Sequence, residues 1–90
     1  MIKKPIGLDL LREFLKVARP KSGMHFKIVA RAVIDGDIFT ADEVTQLTDR
    51  LNITKKTLRE WSEGQPATVA TRALFFKYLT EELDKKYGRH

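Results

Sequence analysis

Residues 44–64, VTQLTDRLNITKKTLREWSEG, decide how this chain folds. Their apolar side chains are spaced four, two, five and three residues apart, at Leu47, Leu51, Ile53, Leu58 and Trp61. A continuous helix repeats its apolar side chains every three or four residues, and a half-buried strand repeats them every two. The stretch follows neither pattern throughout. It therefore predicts two short helices that meet at a tight turn, with Ile53 filling the corner between them.

Polar residues mark where these two helices begin and end. Asn52 tolerates the left-handed backbone conformation that stops a helix, so we expect the first helix to end there. Thr54 can cap the second helix by accepting a hydrogen bond from the backbone N–H two or three residues further on. Thr40 and Glu43 have the spacing of a capping box, which predicts the start of the first helix. Together these signals predict a helix-turn-helix at about residues 41–63.

The second of these helices, at about residues 55–62, exposes a basic face if Leu58 and Trp61 point inward. This face holds Thr54, Lys55, Lys56, Thr57, Arg59 and Glu60. A helix in the major groove of duplex DNA needs cations for phosphates, Arg or Lys for guanine edges, and short hydroxyls for bases or backbone. The helix N-terminus itself also attracts phosphate. The residues therefore predict a DNA-binding site, and an ordinary solvated face is the alternative interpretation.

The stretch from Leu51 to Pro66 resembles the Cro/C1 (XRE-like) helix-turn-helix family. In that family the pattern ends in a Trp, with a Gly just beyond the recognition helix and a Pro opening the next helix, as at Trp61, Gly64 and Pro66 here. The resemblance implies a lambda-repressor-like fold and a transcriptional regulator, typically a repressor. It also implies a homodimer that binds a partly palindromic operator through the basic face. Residues 56–61 are also similar to MerR-type and excisionase-type modules, and the order of helices resembles tryptophan-repressor-like proteins.

Glycines and prolines divide the rest of the chain into helix-sized segments. Residues 8–18 form a clear amphipathic helix pattern. Residues 24–34 contain enough β-branched side chains for a strand, and Asp35-Gly36 after them is typical of a hairpin turn. Their alanines and a cap at Ser22 favour a helix instead. Residues 66–87 open with Pro and end before Gly88, which predicts a long last helix. We therefore expect an all-α, five-helix domain, with a strand hairpin as the open alternative at residues 26–39.

The last helix carries two apolar strips. One is expected to pack on the helix-turn-helix and consists of Val69, Ala73, Phe76, Leu79, Leu83 and Tyr87. The other consists of Leu74, Phe75 and Tyr78, and it either meets the first helix or forms a homodimer contact. In the alternative function, an antitoxin-like or phage adaptor protein, this second strip binds an unlike protein partner.

Composition agrees with a DNA-binding domain. Ninety residues suffice for one domain over residues 1–90, and the net charge of +5 suits a polyanionic partner. The chain has no Cys, which removes disulfides and thiolate metal sites from consideration and fits a reducing cytoplasm. Because no apolar run has the length of a membrane span and residues 1–8 lack a signal-peptide core, we expect a cytoplasmic protein without membrane contact.

No residue pattern indicates an enzyme, a metal or a cofactor. The two histidines, His25 and His90, lack the paired spacing of metal ligands. The Asp35-Gly36-Asp37 sequence lacks the closing Glu of a calcium loop, and neither serine has a His-acid pattern near it. An RNA partner is disfavoured because no aromatic residue lies among the cations of residues 54–60. Small-molecule effectors are not indicated either way.

Overall fold

The computed structural model describes residues 7–88, which contain five α-helices and no strand. In chain order they are α1 (Leu8–Val17), α2 (Gly23–Asp35), α3 (Ala41–Leu51), α4 (Lys55–Ser62) and α5 (Val69–Tyr87). The prediction of an all-α, five-helix domain is confirmed. Within the described range, no helix has an apolar segment long enough to cross a membrane.

Helix α2 settles the choice between helix and strand in favour of helix. The Ser22 hydroxyl accepts a hydrogen bond of 3.2 Å from the backbone N–H of His25, which caps the first turn as predicted. The buried side chains of α2 lie on one helical face; they are Phe26, Val29, Ala30, Ala32 and Val33. At its C-terminus the chain needs Gly36, because a Cβ there would lie 2.5 Å from the carbonyl oxygen of Ala32. The hairpin signal of Asp35-Gly36 is therefore a helix end.

The ends of α3 and α4 have the predicted local chemistry. Thr40 and Glu43 form a complete capping box, with backbone-to-side-chain hydrogen bonds of 2.8 and 3.2 Å. Asn52 ends α3 in the left-handed conformation, at φ 58° and ψ 43°. Thr54 then caps α4 by accepting a hydrogen bond of 3.1 Å from the backbone N–H of Thr57. Three residues, 52–54, thus make the turn between the two helices.

An aromatic cluster joins α2, α4 and α5. The ring centroid of Trp61 lies 5.0 Å from that of Phe26 and 5.6 Å from that of Phe75, and Phe76 lies beside Phe75 at 6.0 Å. Phe26 and Phe75 meet edge to face at 5.7 Å, an arrangement that aromatic rings favour. Leucines from four helices surround this cluster and are fully buried; they are Leu11, Leu47, Leu58, Leu79 and Leu83.

Helix α5 corrects two predictions. It begins at Val69 rather than at Pro66, because the Thr68 hydroxyl caps it by accepting a hydrogen bond from the backbone N–H of Thr71. The predicted inward strip is also shorter than expected, since Phe76, Leu79 and Leu83 are buried whereas Val69 is 47% exposed.

The predicted outward strip of Leu74, Phe75 and Tyr78 does not form one surface. Phe75 is fully buried in the aromatic cluster, and Tyr78 is half-buried beneath the guanidinium of Arg50, which lies 4.3 Å from its ring centroid. Leu74 alone of the three is exposed. Phe75 and Tyr78 pack against side chains of other helices, and the fully buried Phe75 presents no surface to a second copy in this structure.

Three ion pairs connect α3 to α5. Arg50 donates hydrogen bonds of 2.6 Å to Glu81 and 3.0 Å to Glu82, and the bond to Glu81 is the main reason that the pKa of Arg50 is raised. Lys86 lies 2.6 Å from a carboxylate oxygen of Glu43. This hydrogen bond lowers the pKa of Glu43 and raises that of Lys86. The capping box of α3 is thereby tied to the last turn of α5.

Candidate nucleic-acid interface

Helix α4 is held by its inward side chains. Leu58 is fully buried and Trp61 is 5% exposed, while Leu51 and Ile53 are half-buried against the same core. Ser62, also buried, donates a hydrogen bond from its hydroxyl to the carbonyl oxygen of Arg59. The predicted inward orientation of this helix is therefore observed, and its opposite side is turned away from the core.

The predicted site residues lie together on that outer side. Thr54, Lys55, Lys56 and Arg59 are exposed, and Thr57 and Glu60 are partly exposed. The Thr54 and Thr57 hydroxyls lie 3.1 Å apart and Thr54 also accepts the capping bond, so both threonines have a structural duty at the start of α4. The three cations have no such duty.

The three cations of α4 are among the unpaired cations of residues 7–88. Within residues 7–88, ion pairs engage Arg12, Lys16, Arg31, Arg50 and Lys86. Lys55, Lys56 and Arg59 form no ion pair in this range. An anionic ligand would therefore meet these cations without first displacing a carboxylate from them, which makes their full charge available for phosphate.

The N-terminus of α4 adds to the attraction. Lys55 and Lys56 are its first two residues, and the first backbone N–H groups of a helix have no partner within the helix. Thr57, the third residue, gives its N–H to the Thr54 cap. Two exposed lysines thus occupy the first turn of α4, where the positive end of the helix dipole lies.

Other residues near α4 were missed in the sequence. A cleft of about 440 Å³ lies between the start of α2, the end of α4 and the start of α5. We call it the α2–α4–α5 cleft; its lining includes Lys27, Trp61 and Arg72. No sequence pattern indicates this cleft, because these three residues are far apart along the chain and meet only after the helices pack.

His25 has a structural role. Its Nδ1 accepts a hydrogen bond of 3.1 Å from the backbone N–H of Arg19, and its ring meets Phe14 edge to face at 5.1 Å. It thereby fixes the loop between α1 and α2. Residues 7–88 contain no group of three or more His, Asp or Glu side chains that could hold a metal ion.

Comparisons of this chain with protein-family models, with curated proteins and with solved structures found no match. The likeness to Cro/C1-type domains accordingly stays a prediction from residues 51–66.

Proposed function

We propose that this protein is a sequence-specific, duplex DNA-binding regulator of transcription that places α4 in the major groove. The observation that supports this most strongly is the orientation of α4. Burial of Leu58 and Trp61 turns Lys55, Lys56 and Arg59 outward, and none of these three cations is paired with an acid in the described part of the chain.

The side chains of α4 have separate roles in this proposal. Lys55 and Lys56, at the helix start, bind phosphates and set the position of the helix on the duplex. Arg59, one turn further along, binds a guanine edge through two parallel hydrogen bonds, and Glu60 accepts a hydrogen bond from a cytosine amino group. Thr54 and Thr57 stabilise the first turn of α4 through the cap and the contact between their hydroxyls.

One copy of α4 contacts few base pairs. Eight residues at about 1.5 Å each give a helix about 12 Å long, which spans roughly three or four base pairs at about 3.4 Å each. A regulator needs a longer site to be selective. We therefore propose a homodimer whose two α4 helices bind half-sites about 34 Å apart, as the Cro/C1 resemblance implies, and which represses transcription in the cytoplasm.

Selection of bound sequences from a random duplex pool tests this proposal. We expect an enriched motif with two symmetric half-sites for the wild-type protein. The Arg59→Ala variant should still bind but lose its preference at one position in each half-site, at a loss of about 1–3 kcal/mol per site. Lys85→Ala is the matched control, because Lys85 is exposed, forms no ion pair within residues 7–88 and lies beside the start of α3. A pool that shows no enrichment, or an unchanged motif for Arg59→Ala, contradicts the assigned role of α4.

A further inference from the structure

The α2–α4–α5 cleft has the size of a small-molecule site. Its volume of about 440 Å³ lies in the range of about 300–1,000 Å³ that is usual for sites of organic ligands. Trp61 and residues of α2 and α5 line it, and Lys55, Lys56 and Arg59 are not among its lining residues. The proposed DNA contacts do not use it.

The charge of the cleft is entirely positive. Among its lining residues Lys27 and Arg72 are cationic and none is acidic. Lys27 is exposed and forms no ion pair within residues 7–88, and its ammonium nitrogen lies 3.9 Å from where a Cβ on Gly64 would be. The first turn of α2 also lines this cleft, so the positive end of that helix dipole adds to the positive charge there.

Arg72 is held in place without a carboxylate. One of its terminal nitrogens donates to the backbone carbonyl oxygens of Pro20 and Lys21, at 3.2 and 3.4 Å, and its guanidinium lies 5.3 Å from the ring centroid of Phe26. Its Nε is buried and has no hydrogen-bond partner, and the other terminal nitrogen points toward Gly23. The buried Nε cannot reach a ligand, but the other terminal nitrogen forms no hydrogen bond within residues 7–88, so the positioned guanidinium keeps donors for an anion in the cleft.

Most of the other side chains that line the cleft are apolar. They are Met24, which is 72% exposed, Phe26, Trp61 and Pro66, and Gln65 is the one polar side chain among them. Burying a side chain as exposed as Met24 against an apolar ligand gains free energy in proportion to the area covered. An inorganic ion would leave this surface in water.

We propose that the cleft binds a small organic anion, with a carboxylate or phosphate group between Lys27 and Arg72 and an apolar body against Met24 and Pro66. This site is separate from the DNA-binding face and goes beyond the proposed function. A bound molecule would contact Trp61 on α4, so it is placed to act as an effector of that helix.

Fluorescence of Trp61, the single tryptophan of the chain, reports on the cleft directly. The probes are phenyl phosphate and benzoate. Benzyl alcohol is the control that lacks the negative charge, and inorganic phosphate is the control that lacks the apolar group. We expect at least one of the two probes, at millimolar concentration, to change the Trp61 fluorescence in a saturable way. Both control compounds should change it much less. No saturable change with either probe, or an equal change with benzyl alcohol, overturns the proposal.

Variants locate the binding. Lys27→Gln should weaken binding about fivefold, near the upper value for one exposed ion pair, and Arg72→Lys should weaken it while keeping the charge and the fold. Lys85→Gln, outside the cleft, should leave it unchanged. Equal affinity of the wild type and Lys27→Gln refutes the site. If Lys27→Gln lowers the affinity for duplex DNA in the absence of any small ligand as much as it lowers the affinity for phenyl phosphate, the cleft receives a backbone phosphate, which also overturns the proposal of a small ligand.

Discussion

Removing Lys55 and Lys56 together should change how DNA binding depends on salt as well as how tight it is. Each lysine that neutralises a phosphate releases condensed counterions when the protein binds, so log affinity falls with log salt concentration by about 0.9 per phosphate contact. Because both lysines are exposed and free of ion pairs within residues 7–88, we expect each to make one such contact.

The size of the effect follows from that slope. For a fourfold change in salt, from about 50 to about 200 mM, one phosphate contact changes the affinity by about 3.5-fold and two contacts change it by about 12-fold. In the proposed homodimer each substitution is present twice, so the Lys55→Ala/Lys56→Ala variant removes about four contacts and should lose about 150-fold less affinity than the wild type over this range. Each single variant removes about two contacts and should lose about 12-fold less.

Fluorescence anisotropy with a labelled duplex at several salt concentrations measures these slopes. Lys85→Ala removes the same charge from another part of the surface and should leave the slope within error of the wild type. The reasoning is refuted if the double variant keeps the wild-type slope, or if Lys85→Ala lowers the slope as much as Lys55→Ala does. In either case net charge rather than contact by α4 would explain the binding.

Four further predictions concern the fold. Leu58→Ala should lower the free energy of unfolding by about 2–5 kcal/mol in denaturant titration, because Leu58 is fully buried; a loss well below this range would contradict its anchoring role. Asn52→Gly should be tolerated, whereas Asn52→Val should cost about 1–2 kcal/mol because of the left-handed backbone, and equal stability of the two would contradict that reason. Phe75→Ala should cost about 3–5 kcal/mol without altering the sedimenting mass, and a change of mass at unchanged stability would restore Phe75 to an interface. The hydrogen bond from Lys86 lowers the pKa of Glu43 below its ordinary value of 4.5, so the contact stabilises the fold above pH 4.5 and this stabilisation is lost as the pH falls through the lowered pKa. The unfolding temperature of Glu43→Gln should therefore depend less on pH in this acid range than that of the wild type. Identical pH profiles of the two proteins would contradict the contact.

The helix ends could be predicted from the sequence because they depend on neighbouring residues alone. The capping box of Thr40 and Glu43, the left-handed Asn52 and the Thr54 cap each involve atoms no more than three residues apart. Such contacts are decided before the helices pack. The same holds for the inward Leu58 and Trp61, since helical periodicity fixes the angle between side chains on one helix.

The surroundings of α5 could not be predicted in the same way. Phe75 lies four residues before Leu79 and therefore on the same side of the helix, at the edge of the inward strip, and the sequence does not show that Phe26 and Trp61 pack against it there. The start of α5 is a second example. Pro66 and Thr68 are both residues typical of helix starts, and the Thr68 cap places the start at Val69, three residues after Pro66. The cleft of Lys27 and Arg72 depends on three helices at once and leaves no local pattern.

Helix α4 divides its work between two sets of residues. Leu58, Trp61 and the Thr54 cap keep the helix in place, whereas Lys55, Lys56 and Arg59 are exposed and form no ion pair within residues 7–88. Exposed positions without such contacts usually change stability by less than about 0.5 kcal/mol when they are replaced. Descendants of this protein can therefore exchange these three side chains, and with them the molecules that the surface recognises, while the scaffold beneath stays intact.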